Sequence, residues 1–179
     1  MGIQVGPAEH ALPRLNWRPM TAADLDAIAD IAVLAFPDHF EGRDCFKNRL
    51  SLYPSGCFVL AGPDEEPKGY LVAYPWIAES APALNVLIPA LPAEAEVMYL
   101  HDLALHPEVR GQGWTAPIVE RLADEARAAG WPAIALVAVN DAAPFWEGRG
   151  FSVVDTPDLA AKLAGYGPEA RYMVRRLQA

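Results

Sequence analysis

The spacing of hydrophobic positions changes from segment to segment, and it predicts strands and helices in alternation. LNWRPM, from residue 15, is typical of a strand, and Leu25, Ile28 and Ala32 follow it at helical spacing. Thr21 precedes them as a good N-cap, with Asp24 three residues later. The first two predicted elements are therefore a strand and an amphipathic helix.

A weaker helix and a hairpin are predicted next. The helix lies around residues 43–52. CFVLAG and KGYLVAYPW are rich in β-forming residues, and GPDEEPKG between them has the composition of a turn. These segments predict two antiparallel neighbours in a sheet.

The second half of the chain continues the alternation. VMYLHDLALHP (97–107) is almost continuously apolar, which is expected of a strand covered on both faces. TAPIVERLADEARAAG predicts a helix that Thr115 caps and Gly130 ends. A strand over 132–140, a short helix in DAAPFWEGRG and two last strands, FSVVD and RYMVRRL, complete the order. This order predicts an α/β fold around one mixed sheet.

Two segments show neither helical nor strand periodicity in their hydrophobic positions. Residues 1–14 mix Gly, Pro and Ala and are predicted to form a flexible tail, which leaves 15–179 as one domain. Residues 77–96 carry prolines and many aliphatic side chains, so we expect an ordered excursion rather than a solvated linker. Its aliphatic side chains either wall an apolar pocket or form the face of a homodimer.

Composition and charge narrow the function. The formal net charge of -9 repels a polyanion, so nucleic acid is not expected as a partner. No apolar run reaches the roughly 20 residues that cross a bilayer, so no membrane partner is expected. Cys45 and Cys57 form no C-x-x-C pair and the N-terminus lacks the pattern of a secretory signal, which together predict a cytoplasmic protein.

The stretch HPEVRGQGWT, residues 106–115, has the parts of an anion site. A strand stops, a glycine-rich turn follows, and a helix begins, whose first N–H groups have no partner within the helix. Gly111 and Gly113 allow close approach of the backbone, and Arg110 adds a cation. An ordinary strand-to-helix turn is the alternative. A Walker loop is excluded because no Lys is near, and a dinucleotide fingerprint because Asn140 stands where an acid is needed.

This stretch resembles the acyl-CoA pyrophosphate loop of the GCN5-related N-acetyltransferases (GNAT superfamily). Arg110 and Gly113 match the family pattern, while Thr115 stands where Gly or Ala is usual. VNDAAPFWEGRGF (139–151) is similar to a second family block. The resemblance runs from about residue 15 to 179 and implies a single-domain α/β fold, with a mixed, largely antiparallel central sheet flanked by helices on both faces.

The resemblance also implies a reaction. A family member binds acetyl-CoA as cosubstrate, needs no metal, and passes the acetyl group to a primary amine of a small molecule or amino-acid-like acceptor. The alternative is a non-catalytic acyl-CoA-binding or regulatory module with the same fold. The residues implied to bind the cofactor are Leu103, Ala104, Leu105, Arg110, Gly111, Gln112, Gly113, Trp114, Thr115, Asn140, Phe145 and Trp146.

The catalytic groups are less evident. Many family members carry at position 146 a Tyr that protonates the leaving thiolate, and the indole of Trp146 is no usable acid. Tyr166 is a candidate replacement. His101 stands where similar members carry a Glu proposed as base, and an imidazole titrates near neutral pH. A positioning or core role for His101 is equally open.

Strand periodicity sets a further expectation about these groups. Strict alternation puts His101 on one face with Tyr99, Leu103 and Leu105, and Asp102 on the other face. Asp102 is the next candidate base if a bulge changes the facing. His10 and His39 are remote in sequence, so no metal site is predicted, and the acids Asp38, Glu41 and Asp44 either favour a cationic amine or are solvated.

Overall fold

The computed structural model describes residues 14–63 and 65–178. The predicted tail over residues 1–14 lies almost wholly outside the described residues. Seven strands form one sheet. In chain order they are β1 (Asn16–Pro19), β2 (Cys57–Ala61), β3 (Gly69–Trp76), β4 (Val97–Leu105), β5 (Ala133–Ala138), β6 (Ser152–Val153) and β7 (Arg171–Arg176). The helices are α1 (Leu25–Ala35), α2 (Arg43–Leu52), α3 (Thr115–Ala128), α4 (Ala143–Glu147) and α5 (Pro157–Lys162).

The sheet is mixed and largely antiparallel, which confirms the predicted fold class. Its spatial order is β1-β2-β3-β4-β5-β7-β6. Only β4 and β5 run parallel, and the other neighbours pair antiparallel. Helices cover both faces: α1 and α2 pack on one, through residues such as Ile28 and Phe46, and α3 and α4 on the other, through Leu122 and Trp146.

The middle of the sheet opens between the two parallel strands. β4 and β5 pair at Met98 with Ile134 and at Tyr99 with Ala135, and no further partners are recorded between these strands. Their C-terminal halves therefore diverge. The divergence removes hydrogen-bonded neighbours from one edge of β4, which leaves a gap through the centre of the fold.

A β-bulge in β4 changes which side chains face the gap. Val72 pairs with Asp102 and Ala73 pairs with Leu100, so His101 has no partner residue across the β3–β4 ladder. Beyond the bulge the facing is inverted. His101 packs beside Tyr99, and Asp102 bonds to Tyr70, so both side chains lie on the α1 side.

The predicted strict alternation of side chains between the two faces of β4 was therefore wrong beyond residue 101. Ala104 belongs to the apolar core on the α1 side, whereas Leu103 and Leu105 pack in the clusters of the opposite side. Asp102 was the next candidate base if a bulge changed the facing of this strand, and that bulge is present.

The excursion over 77–96 has no helix or strand, as predicted, and is held by side-chain bonds from α2. Asn48 donates to the Ile88 carbonyl and accepts from its N–H, both at 2.9 Å, and Arg49 donates to the Val86 carbonyl at 2.6 Å. Leu84 packs against the core on the α1 side, while Val86 and Leu87 are exposed. The excursion is thus a wall of the core, and a homodimer through its exposed residues stays a prediction.

Two predictions about local structure need correction. Thr115 is the first residue of α3, the capping position is Trp114, and no side chain caps the helix. Helix α5 was missed, although Thr156, Pro157 and Asp158 are residues typical of a helix start. Tyr166 follows α5 in a short 3-10 turn, Ala164–Tyr166.

Gly56 controls how closely the chain before β2 approaches the bulged region. A Cβ at residue 56 would lie 1.9 Å from the Ala73 carbonyl oxygen, which is backbone and cannot move aside cheaply. We expect Gly56→Ala to lower the free energy of unfolding by about 3 kcal/mol in urea titrations. Gly165→Ala is the control, because a Cβ there meets nothing within 4 Å, and it should change stability by less than about 0.5 kcal/mol. Equal effects of the two substitutions would contradict this reading.

Candidate active site

A cavity of about 340 Å³ fills the gap between β4 and β5. Its lining residues come from both faces of the sheet, so it connects the α3 side to the α1 side. On the α3 side the lining includes Leu103, Leu105, Arg110, Thr115, Phe145 and Trp146. On the α1 side it includes Phe36, His39, Glu41, Leu84, Asp102 and Tyr166. We call these parts the inner α3 half and the inner α1 half.

The glycine-rich loop has the backbone geometry expected of an anion site. Gly111 and Gly113 have φ angles of 74° and 83°, a region that side-chain-bearing residues rarely adopt. No backbone carbonyl of the described residues accepts a hydrogen bond from the N–H groups of Gln112, Gly113 or Trp114. These donors precede the first turn of α3, where the helix dipole favours negative charge.

Neighbouring side chains hold the loop in place. The indole N–H of Trp17 donates to the Trp114 carbonyl at 2.9 Å, and Trp114 in turn donates to Gln112 Oε1 at 3.2 Å. Arg110 Nε donates to the Leu105 carbonyl at 3.0 Å, and Arg110 lines the cavity. Arg110, three N–H groups and the start of α3 therefore suit a diphosphate, and Arg110 ties this loop to the end of β4.

The second family block forms the opposite wall. Asn140 lines the cavity just after β5, and its φ of 51° marks a left-handed backbone at this turn. Trp146 is buried among Phe145 and Phe151, which contact it edge to face. Trp146 thus serves as an apolar wall of the inner α3 half.

Of the twelve residues predicted to bind a cofactor, seven line the cavity and five do not. Leu103, Leu105, Arg110, Thr115, Asn140, Phe145 and Trp146 line it. Ala104 is directed into the core of the α1 side. The stretch from Gly111 to Trp114 lies outside the cavity, on the surface loop, where Trp114 packs on the cluster of Leu105 and Val109.

A buried ion pair lies in the inner α1 half. His101 Nε2 and Glu41 Oε1 are 2.5 Å apart, and their side chains are 4% and 6% exposed. The Asn85 N–H donates to Glu41 Oε2 at 3.2 Å. Burial opposes ionisation of Glu41, but the charge of His101 and these hydrogen bonds lower the pKa of Glu41 below its ordinary value. His101 therefore donates to an ionised carboxylate through Nε2.

The second nitrogen of His101 is closed off. Nδ1 is buried and has no hydrogen-bond partner among the described residues. The Tyr74 and Tyr99 rings pack beside the imidazole, at centroid distances of 5.7 and 6.0 Å. Neither nitrogen of His101 is open to a ligand in this arrangement, although the ring lines the cavity.

Asp102 is the more accessible acceptor. The Tyr70 hydroxyl donates to Asp102 Oδ2 at 2.6 Å, which leaves Oδ1 for a ligand. Burial raises the pKa of Asp102 to about 6, against the lowering effects of the His101 charge and of the Tyr70 hydrogen bond. A carboxylate of this kind is ionised at neutral pH and is more basic than an ordinary Asp.

Tyr166 and His39 complete the inner α1 half. The Tyr166 hydroxyl donates to the Pro82 carbonyl at 2.5 Å, and burial raises the pKa of Tyr166 to about 12. Both effects weaken Tyr166 as a general acid. His39 Nε2 donates to the Tyr166 carbonyl at 2.8 Å.

His39 and the burial of Glu41 were not predicted. His39 is remote in sequence from the rest of the site, and Glu41 was one of three acids expected either to favour a cationic amine or to be solvated. Asp38 and Asp44 are indeed exposed, whereas Glu41 is buried. Pro37, which ends α1, was the available signal, because the chain must turn back over the sheet after it.

Within 14–63 and 65–178, no three His, Cys, Asp or Glu side chains are grouped so that they could hold a metal ion. In the same residues, no helix has the length and apolar character needed to cross a membrane.

Comparisons with known proteins point to one family. The model of the acetyltransferase (GNAT) family matches residues 23–151. No curated protein sequence matches significantly.

Solved structures share the fold at low sequence identity. The GNAT-like decarboxylase GphF in complex with isobutyryl-CoA has a TM-score of 0.74 at 16% identity, covering 91% of this chain and 100% of that one. Ard1 from Thermoplasma volcanium has a TM-score of 0.68 at 12% identity, with coverages of 92% and 99%. The Escherichia coli N-acetyltransferase YhbS in complex with CoA has a TM-score of 0.60 at 18% identity, with coverages of 93% and 83%.

The raised pKa of Asp102 has a consequence for stability. Well below pH 4 this carboxyl is protonated in both the folded and the unfolded chain and has no effect on stability. Above pH 6 it is ionised in both, and its unfavourable burial then lowers stability by up to about 3 kcal/mol. Stability from this group therefore falls as pH rises from about 4 to 6.

Asp102→Asn should abolish this loss while keeping an acceptor for the Tyr70 hydroxyl. In urea unfolding at pH 4.5 and 7.5, we expect the stability of the variant relative to the native protein to be higher at pH 7.5 than at pH 4.5, by about 2 kcal/mol. The exposed Asp44→Asn is the matched control and should give the same difference at both pH values. A constant offset for Asp102→Asn would show that its carboxyl is not perturbed.

Proposed function

Because the chain belongs to the acetyltransferase (GNAT) family, we propose that it moves the acetyl group of acetyl-CoA to a primary amine of a small molecule or amino-acid-like acceptor. The observation that carries the proposal is the cavity through the sheet, which joins a diphosphate-type loop on one side to a carboxylate on the other. Such a cavity lets two substrates meet from opposite faces in a ternary complex.

The fit to acetyl-CoA rests on the glycine-rich loop and on the inner α3 half next to it. The N–H groups of Gln112, Gly113 and Trp114 and the cation of Arg110 suit the diphosphate. The edge of β4 that β5 leaves unpaired suits the amide-bearing arm, in the manner of an added strand. Acetyl-CoA supplies the reactive acyl group as its thioester.

In the inner α1 half, Asp102 acts on the amine. An alkyl amine with a pKa near 10.4 is mostly protonated at pH 7, so an anionic Asp102 first attracts the ammonium. The ammonium releases one proton to solvent before it can attack. When the neutral nitrogen then bonds to the acyl carbon, its two protons become acidic; one passes to Asp102 Oδ1, and the C–S bond breaks to release CoA as the thiolate. The raised pKa of Asp102 makes it a better acceptor than an ordinary carboxylate.

His101 has a supporting role in this proposal. Its Nε2–H is held by Glu41, and Glu41 is itself fixed by the Asn85 N–H of the excursion. The pair forms a rigid polar layer beside Asp102, and the positive charge of His101 favours the ionised form of Asp102. Direct proton acceptance by His101, as the sequence suggests, would require its ring to move.

Departure of the thiolate proceeds without a strong acid. A thiol with a pKa near 8.5 lies about 1.5 units above neutral pH, so release as the thiolate costs roughly 2 kcal/mol. Trp146 cannot donate usefully, and the raised pKa of Tyr166 makes it a poor donor. The proposal therefore requires no tyrosine at position 146.

The role of Asp102 is tested by kinetics. We expect Asp102→Asn to lower kcat at least about 100-fold, as for loss of a general base. Acetyl-CoA should still protect the Asp102→Asn variant against heat, because Asp102 lies outside the inner α3 half. His101→Gln should lower kcat less than Asp102→Asn does; the reverse order would make His101 the proton acceptor.

The activity itself is tested by adding acetyl-CoA and a broad amine panel, with colorimetric detection of free thiol. We expect acetyl-CoA to raise the melting temperature and at least one primary amine to release thiol. The rival function is acyl-CoA binding without transfer, which the loss of the usual tyrosine at Trp146 favours. Thermal protection together with no thiol release from any amine would support that rival.

A further inference from the structure

We propose that the acceptor carries a second positive charge, as a diamine or polyamine does, and that an outer cavity at the mouth of the inner α1 half holds that charge. The inference rests on the proposed acetyl transfer and narrows its substrate class. The outer cavity has a volume of about 430 Å³ and shares His39, Asn140 and Tyr166 with the active-site cavity. An elongated molecule can therefore extend from one cavity into the other.

Carboxylates line both cavities, which together form the path of the elongated acceptor. Asp38 and Glu169 line the outer cavity and are exposed, while Glu41 and Asp102 line the inner α1 half. Neither Asp38 nor Glu169 takes part in an ion pair among the described residues. Their charges are thus available to a cationic ligand.

The positive groups near the inner α1 half already have partners. His101 is paired with Glu41, and the buried Arg49, whose charge acts on Glu41, donates to the Val86 carbonyl. Arg110 lines the inner α3 half of the cavity, on the opposite side of the sheet from the inner α1 half. Arg171 follows Glu169 closely in sequence, but it donates to the carbonyls of Pro168 and Ala170 and lines a different cavity. The described lining of the outer cavity contains no Lys or Arg. An acceptor with its own carboxylate would place a negative charge among negative charges.

A histidine between the two cavities carries an acceptor atom without a partner. His39 donates through Nε2 to the Tyr166 carbonyl, so in the neutral ring Nδ1 holds a lone pair. That Nδ1 is buried and has no partner among the described residues. Buried polar atoms normally have partners, so the unsatisfied acceptor at His39, which lines both cavities, points to a ligand that donates N–H groups. Ammonium groups supply such donors together with positive charge.

The proposal is tested by calorimetric titration into the protein saturated with CoA. The probes are diamines of three to eight carbons, the monoamine of each length, and 4-aminobutanoate. We expect at least one diamine to bind about tenfold more tightly than the monoamine of its length, and 4-aminobutanoate to bind most weakly. Equal binding of every diamine and its monoamine would overturn the proposal.

A paired substitution locates the second charge. Asp38→Asn with Glu169→Gln should weaken diamine binding about five- to tenfold and leave monoamine binding unchanged. The control pair, Asp44→Asn with Glu94→Gln, removes the same net charge from exposed acids outside both cavities and should change neither. An equal loss in both pairs would mean that only the overall charge matters, which contradicts a site at the outer cavity.

Binding does not depend on turnover, so this proposal and the proposed transfer fail separately. Preferential diamine binding without thiol release would leave the site standing and remove the transferase activity. Thiol release with no preference for diamines would support the transferase activity and overturn the proposed site for a second charge.

Discussion

The structure depends on the separation of two parallel strands in the middle of a sheet. β4 and β5 pair through only two residues each and then diverge. A continuous sheet would seal the two apolar faces from each other. The gap instead places side chains of both faces around one cavity, and it leaves backbone groups of β4 free to bind an extended ligand. On its other side each of these strands keeps a full antiparallel partner, β3 for β4 and β7 for β5.

The bulge at His101 places ionisable side chains next to this gap. One extra residue in β4 puts His101 and Asp102 on the same side, next to Glu41. Burying three ionisable groups together is costly unless they are paired. Glu41 is compensated by His101 and by the Asn85 N–H, whereas Asp102 has the Tyr70 hydroxyl as its recorded side-chain partner. The raised pKa of Asp102 reflects this unequal compensation, and it supplies the basicity that the proposed reaction needs.

Local patterns in the sequence predicted the strands, the longer helices and the glycine-rich loop. These features depend on neighbours within a few residues, such as the apolar run of β4 or Gly111 and Gly113 before α3. The inner α1 half was predicted poorly, because it depends on contacts between distant segments. His39, Glu41 and Asn85 come together only when the loop after α1 meets the excursion, and no spacing between them reports that contact. The bulge likewise has no signature in VMYLHDLALHP, so periodicity misplaced Asp102.

In the proposed complex, CoA lies across the sheet, with its diphosphate at residues 110–115 and its reactive end between Trp146 and Asp102. A crystal structure of the complex with CoA tests this placement most directly. We expect the diphosphate oxygens to accept hydrogen bonds from the N–H groups of Gln112, Gly113 and Trp114, and the sulfur to lie in the gap between β4 and β5. A CoA molecule bound away from that gap would contradict it.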